Sequence, residues 1–230
     1  MHIDTEALNA SLQRLRQDRR EPDVARVLQQ VVGAVDRLFG HDGAGIMLVD
    51  QEGRLVYVAA SDEAGRALEE AQASTDQGPC HDTYVYARPV TTKDVHSDDR
   101  WPRLAELLDS RVRAVAGVPL LLSGSPVGTL NVYRSEPAEW DDSDLQALRA
   151  YAGLIEEVMS ASLAAHEHSV TAAQLQYALD YRVIIERAIG YLMATHDLDA
   201  VTAFNILRKQ ARDSRRRVAD LAAEILGDTT

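Results

Sequence analysis

Six basic residues crowd into ten positions near the end of the chain: Arg208, Lys209, Arg212, Arg215, Arg216 and Arg217. A guanidinium presents a flat fork of donors that fits two phosphate oxygens, and its plane stacks on an exposed ring. The cluster therefore has the chemistry of phosphate and unpaired-base recognition. Arg208, Arg212 and Arg215 are spaced by four and three, which puts them on one face if a helix reaches that far. Arg182 and Arg187 precede them in an apolar stretch of helical period that also holds Gly190. A mid-helix glycine costs about 1 kcal/mol relative to alanine, so it calls for close approach of a ligand or of another helix. Tyr177, Tyr181 and Tyr191 can stack on bases, at about 1–3 kcal/mol each, but half-buried packing between helices explains them better. An ordinary solvated helix face would carry a similar run of charge.

Other chemistries are thinner. Cys80, His81 and Asp82 are adjacent, and adjacent side chains diverge too much to work as a nucleophile, base and orienter. The reading is a cysteine in the loop after Gly78-Pro79, without redox or chromophore role, whose thiol would be oxidisable if exposed beside His81. His166 and His168 point about 200° apart on a helix and do not converge on one ion. Asp98, Asp99, Asp141, Asp142 and Asp144 read as turn and cap acids. No phosphate loop or HExxH pair occurs. The expectation is a non-enzyme with no catalytic residue, no metal and no cofactor. Asp94, His96, Trp101, Gly117 and Pro119 lie on segments able to line a small-molecule pocket, but each has an equally good turn or core explanation, and ligand residues stay unassigned.

The 230 residues carry a net charge of −12 with 46% hydrophobic content, as expected of a folded chain with a sizeable core. All the excess acid lies before residue 170, because the last 61 residues hold eight basic and eight acidic side chains. An acidic body with a locally basic end suits a nucleic-acid reader joined to something else. One cysteine excludes an internal disulfide, no apolar run approaches membrane length, and the first twenty residues lack a signal-like apolar core. A cytoplasmic location is expected.

These side chains need elements to hold them. Helical spacing runs through 4–19 and again through Val24–Leu38. The period then changes: 45–50 and 54–61 read as a hairpin, 63–73 as a helix, 74–82 as a loop, and 89–95 as an extended piece. A short helix follows at 101–110, then strands at 114–124 and 126–135 joined by a tight Ser-Gly-Ser-Pro turn. Asp141 or Ser143 caps a long helix from Leu145 towards Ser169, with an apolar stripe of Leu145, Leu148, Ala152, Ile155 and Met159 that implies helix pairing. From Ala172 the chain is helical: one helix to about Thr195, a second capped by Asp199, and a third over Val218–Leu226. Three helices in some fifty residues form a second unit too small to bury much core alone, so packing on a partner subunit is expected.

The C-terminal residues carry a resemblance. Ala178-Leu179, Arg182, Ile185-Glu186, Ala188, Gly190 and Leu192-Met193 in the first helix, Ala203-Phe204, Leu207-Arg208 and Ala211 in the second, and Val218-Ala219-Asp220-Leu221-Ala222 in the third together resemble the ANTAR domain. That domain is a three-helix RNA-binding module of bacterial transcription antiterminators. The stretch VPLLLSGSPVGTLNVYRSEPAEWDDSDLQAL looks like the last hairpin and exit helix of a GAF domain, a six-stranded antiparallel sheet flanked by helices. The resemblance implies an α+β chain: an N-terminal helix (1–20), a GAF-like antiparallel sheet flanked by helices (21–160), a helical linker (161–177) and a small three-helix ANTAR-like domain (178–230). It implies a sensor of a small molecule or protein effector that controls binding of paired hairpins in nascent RNA, acting as a homodimer. Arg182, Arg187, Gly190, Arg208, Arg212, Arg215, Arg216 and Arg217 are the expected RNA-binding residues. Two departures stand out: Ile189 occupies the place of the family's usual lysine, and Arg215 or Arg216 that of an asparagine. If that lysine contacts RNA phosphate, its loss would weaken binding or shift the contact towards Arg215–Arg217. The competing expectation is a protein–protein signalling module that docks through its helices and binds no RNA.

Overall fold

The computed structural model describes residues 3–17, 24–40, 43–50, 52–165 and 170–227. Helices α1 (Thr5–Gln17) and α2 (Val24–Phe39) precede strands β1 (Gly43–Val49) and β2 (Leu55–Ala60). Then come α3 (Glu63–Thr75), α4 (Pro79–Tyr86), β3 (Val90–Thr92), a 3-10 turn at Val95–Ser97 and α5 (Pro102–Leu107). Strands β4 (Ala114–Leu122) and β5 (Ser125–Arg134) lead into α6 (Asp142–Ala165), α7 (Val170–His196), α8 (Ala200–Asp213) and α9 (Val218–Ile225). The strands form one antiparallel sheet in the order β2-β1-β5-β4-β3. Among the described residues it has five strands, where the resemblance implied six. They fall on the five extended segments read from the sequence.

The strands β1 and β5 are buried along nearly their whole length, because helices cover both faces of the sheet. Alternate side chains therefore meet different neighbours. Ile46, Leu48, Ala116, Val118, Leu120, Leu130 and Val132 join Leu28, Val31, Val32 and Val35 of α2 and Leu148, Tyr151, Leu154 and Ile155 of α6 in the main apolar core. The opposite face is small and polar at its centre, beside an apolar cluster of Leu68, Val112, Val115 and Tyr133. Gly45, Asn131 and Gly117 lie side by side across β1, β5 and β4. A Cβ at Gly45 would collide with the Glu69 carboxyl, and one at Gly117 would stand 2.8 Å from Thr83 Oγ1. The two glycines thus make room for polar side chains arriving from α3 and α4.

Local chemistry sets the element ends. Asp141 and Asp144 cap α6 reciprocally: Asp141 Oδ1 accepts from the Asp144 amide at 2.9 Å, and Asp144 Oδ2 from the Asp141 amide at 3.2 Å. Ser143, the other candidate, instead accepts from the Ile3 amide at 2.8 Å and ties the N-terminal segment to α6. Asp199 caps α8 by accepting from the Thr202 amide at 2.9 Å. The β4–β5 turn places Ser123 and Gly124 at φ +51° and +83°, the left-handed pair a two-residue hairpin needs. The long helix read towards Ser169 is described as far as Ala165, and residues 166–169, with His166 and His168, lie outside the described residues.

The last three helices pack on one another through Ile185, Ala188, Ile189 and Leu192 of α7, Ala203, Phe204, Leu207 and Ala211 of α8, and Val218, Ala219, Leu221 and Ala222 of α9. Ile189, in the place of the family's lysine, is 7% exposed and belongs to this core. The sheet domain supplies part of the cover for this unit. Its apolar core is continuous with that of the sheet domain, as α7 meets β1 and β5 and α8 meets α4.

Candidate functional site

The contact between α8 and α4 brings together residues far apart in sequence. Phe204 is 1% exposed and its ring lies tilted against His81 and Tyr84, with centroids 5.9 and 5.8 Å away. One turn further along α8, Arg208 Nη2 donates to Asp76 Oδ1 at 2.6 Å. Asp76 closes α3 in a left-handed conformation, φ +55°. Arg182 of α7 donates from Nε to Glu186 Oε1 at 2.7 Å and lays its guanidinium over the Tyr84 ring at 4.9 Å. Both arginines are nearly sealed, at 3% and 4% exposure. Each keeps a buried donor without a partner, Arg182 Nη1 and Arg208 Nε. An incompletely bonded guanidinium out of water is costly, so neither arginine is at its best in this arrangement.

The expected RNA-binding residues therefore divide. Arg182 and Arg208 face the sheet domain and are covered, so RNA can reach them only if the two units part. Arg187, Gly190, Arg212, Arg215, Arg216 and Arg217 are exposed. Arg216 pairs with Glu224 and also donates to the Asp220 carbonyl. Arg215 sits at φ +54° on the corner between α8 and α9. Nothing lies within 4 Å of where a Gly190 Cβ would stand, so close helix packing is not the reason for this glycine here. Tyr181 and Tyr191 are 38% and 48% exposed; the side chain of Tyr177 lies outside the described residues. Asp76 and Tyr84 went unrecognised as partners of the arginines, and His81 as a partner of Phe204, since nothing near them in sequence announces residues about a hundred or more positions away.

The other side of α4 reaches a buried polar cluster on the glycine-lined face of the sheet. Asn131 Nδ2 donates to Glu69 Oε1 at 2.8 Å and to Thr129 Oγ1 at 3.1 Å. Gln72 Nε2 donates to Glu69 Oε2 at 3.2 Å and to Cys80 Sγ at 2.6 Å, while Gln72 Oε1 accepts from the Cys80 amide at 2.9 Å. Burial pushes the Glu69 carboxyl up to about 7, and the hydrogen bonds from Asn131, Cys80 and Gln72 only partly oppose it. Burial and the neighbouring Glu69 likewise push the Cys80 thiol well above its usual range.

Cys80 thus requires a correction. Residues read as a loop form the helix α4, with Pro79 in its first turn, and Cys80 is 0% exposed rather than an accessible thiol beside His81. We expect it to react with a disulfide reagent at least about a hundredfold more slowly in the folded protein than in denaturant, measured by thiol release, because only the thiolate attacks and it must be reached.

Of the possible pocket residues, Gly117 and Pro119 border this cluster, opposite Asn131 and Thr129 on β5. Asp94 pairs with Arg113, which holds its carboxyl below the usual range. His96 Nε2 meets the Val112 carbonyl at 3.1 Å, and Trp101 Nε1 donates to Asp82 Oδ2 at 3.1 Å. Among the described residues no group of His, Cys, Asp and Glu has a metal-holding arrangement, and no helix is long and apolar enough to cross a membrane.

Comparison with known proteins finds two families along the chain. The family described as GAF domain matches residues 21–160, and the ANTAR domain matches residues 173–226. No curated protein matches. Among solved structures, free methionine-R-sulfoxide reductase from Neisseria meningitidis is similar with a TM-score of 0.57 and 21% identity, over 70% of this chain and 90% of that one. The GAF domain of a phosphoenolpyruvate-protein phosphotransferase from Coxiella burnetii is similar with a TM-score of 0.58 and 16% identity, over 69% and 96%. A far-red-absorbing protein with bound biliverdin gives 0.51 and 17%, over 68% and 98%. At these identities the likeness is one of fold. With the GAF match spanning well over half of its length and the ANTAR match following it, the chain belongs to the GAF family and has the two-domain GAF–ANTAR architecture of a regulator.

Proposed function

We propose that this chain is a non-enzymatic, cytoplasmic RNA-binding antitermination regulator whose GAF domain withholds Arg182 and Arg208 of the ANTAR domain until an effector, small molecule or protein, parts the two. The burial of Arg182 and Arg208 against α4 and Asp76, each with an unpartnered donor, carries this reading. These groups gain hydrogen bonds on leaving the seam, and RNA phosphates and bases are suitable acceptors. Helix α4 supplies the link. Its Cys80 belongs to the polar cluster under the sheet, while His81 and Tyr84 receive Phe204 and Arg182. An effector that binds the GAF domain better when α4 is displaced would favour the parted state by its difference in affinity for the two states. Two hairpins call for two RNA-binding units, hence a homodimer.

Asp76→Asn tests the reading. Asparagine tolerates the left-handed conformation of residue 76, so the change removes the charge that holds Arg208 with little strain on α3. Affinity of the full chain for a two-hairpin RNA should rise about tenfold, with a salt dependence steeper by about one phosphate contact. Unchanged or weaker binding would mean that the seam does not restrain RNA binding. Absence of salt-dependent binding in both proteins would turn the reading towards the protein-docking alternative.

A further inference from the structure

A second feature of the domain seam lies away from the α4–α8 contact. The β1–β2 turn of the GAF domain and the α8–α9 corner of the ANTAR domain border a half-open cavity of about 330 Å³. Arg54 and Glu52 line it from the GAF side, and Arg208, Arg212, Arg215, Arg216 and Arg217 from the ANTAR side. We propose that this cavity is a binding site for a small molecule bearing two or more phosphate groups, which would bridge the two domains and hold them together.

Three observations support it. The walls are built rather than incidental. Gly53, at φ +70°, packs under the start of α9, and a Cβ there would stand 3.0 Å from Val218 Cγ2 and 3.8 Å from Arg208 Cγ. Arg54 is oriented by Asp50, which accepts from its side chain at 2.8 Å and from its amide at 2.8 Å. The charge is one-sided. Asp50, Glu52, Asp76 and Glu224 pair with Arg54, Arg208 and Arg216, while among the described residues Arg212 and Arg215 have no ion-pair partner. Guanidiniums gathered in one cleft repel unless an anion joins them, and forked pairing with phosphate is the chemistry they favour. The size also fits, since about 300 Å³ is the lower end for small-ligand pockets and too confined for a folded RNA hairpin.

Ligand binding here does not depend on the RNA reading. Its consequence does: a molecule held by Arg54 together with Arg212 and Arg215 would stabilise the joined state and compete with RNA for the same arginines.

The test uses the full-length protein and inorganic tripolyphosphate, with sulfate at matched ionic strength as control. Calorimetric titration should give saturable binding to one site per chain, and the melting temperature should rise with tripolyphosphate alone. Arg54→Ala and Arg215→Asn should each weaken binding at least tenfold; asparagine is chosen for the left-handed position, and Arg54→Lys serves if the alanine variant fails to fold. Arg54→Ala should leave affinity for a two-hairpin RNA undiminished, which keeps failure of this proposal distinct from failure of the RNA reading. Binding of tripolyphosphate no tighter than sulfate would overturn the proposal. So would undiminished binding in the Arg54 variants, which would reduce the effect to general attraction by the ANTAR arginines.

Discussion

Glu69→Gln should flatten the pH dependence of stability between about pH 5 and 8 and stabilise the protein at the alkaline end. In the folded chain the Glu69 carboxyl is raised from 4.5 to about 7, so the native state holds a proton that the unfolded chain has released. The resulting stability is fully present below about pH 4.5 and is lost as pH rises through about 7. At 1.36 kcal/mol per unit, the wild-type protein should lose about 3 kcal/mol across that window. Cys80, whose thiol is pushed upwards, stays protonated throughout and does not offset the loss. Glutamine keeps the shape of a neutral carboxyl group. Its extra amide donor can be met if Asn131 turns over, since Asn131 Oδ1 is at present buried without a partner and the Thr129 hydroxyl can donate as well as accept. Urea unfolding of both proteins at pH 5.5 and 8.5 checks this. A wild-type stability that does not fall towards pH 8.5, or a variant that falls equally, would mean that the ionised carboxyl is accommodated at no cost.

Tyr84→Ala should lower stability by about 3–5 kcal/mol and, in the same protein, strengthen RNA binding. The tyrosine is 3% exposed and is both the surface over which Arg182 lies and one of two rings against Phe204. It belongs to the GAF domain, so the ANTAR helices keep their own residues when it is truncated. Loss of its ring leaves a cavity at the seam and removes the cation–π attraction for Arg182, worth about 1–2 kcal/mol when desolvated. Both effects act against the joined state. Denaturant unfolding should show a lower midpoint, and the affinity for a two-hairpin RNA should exceed that of wild type. A destabilised protein with unchanged RNA affinity would make Tyr84 a packing residue alone and take α4 out of the route between the domains.

Much of the framework was legible in residue order. The strands at 43–49, 114–122 and 125–134, the amphipathic α2 and the caps Asp141 and Asp199 are set by neighbours within a few positions, and short-range sterics and hydrogen bonds suffice to specify them. The ANTAR motif was legible for the same reason: its spacing is that of a core built from three short helices. Helix α4 was not. Pro79-Cys80-His81-Asp82-Thr83-Tyr84 has no apolar stripe because both sides of the helix are covered, one by the polar cluster and the other by α8, so periodicity carries no signal.

The arginines mark the limit most clearly. Their spacing established which of them share a helix face and which chemistry that face can do. It left open whether the face looks at water or at protein. Arg208 and Arg212 look alike in sequence, yet one is sealed against Asp76 and the other is exposed in the cleft beside Arg54. The partner that decides between them lies 132 positions away. Periodicity reports on a helix and its own neighbours, whereas burial of a charge depends on which distant surface arrives to cover it. For this protein, residue order determined the two domains and the spacing of their arginines, and only the tertiary contact of α4 with α7 and α8 decided which arginines are covered.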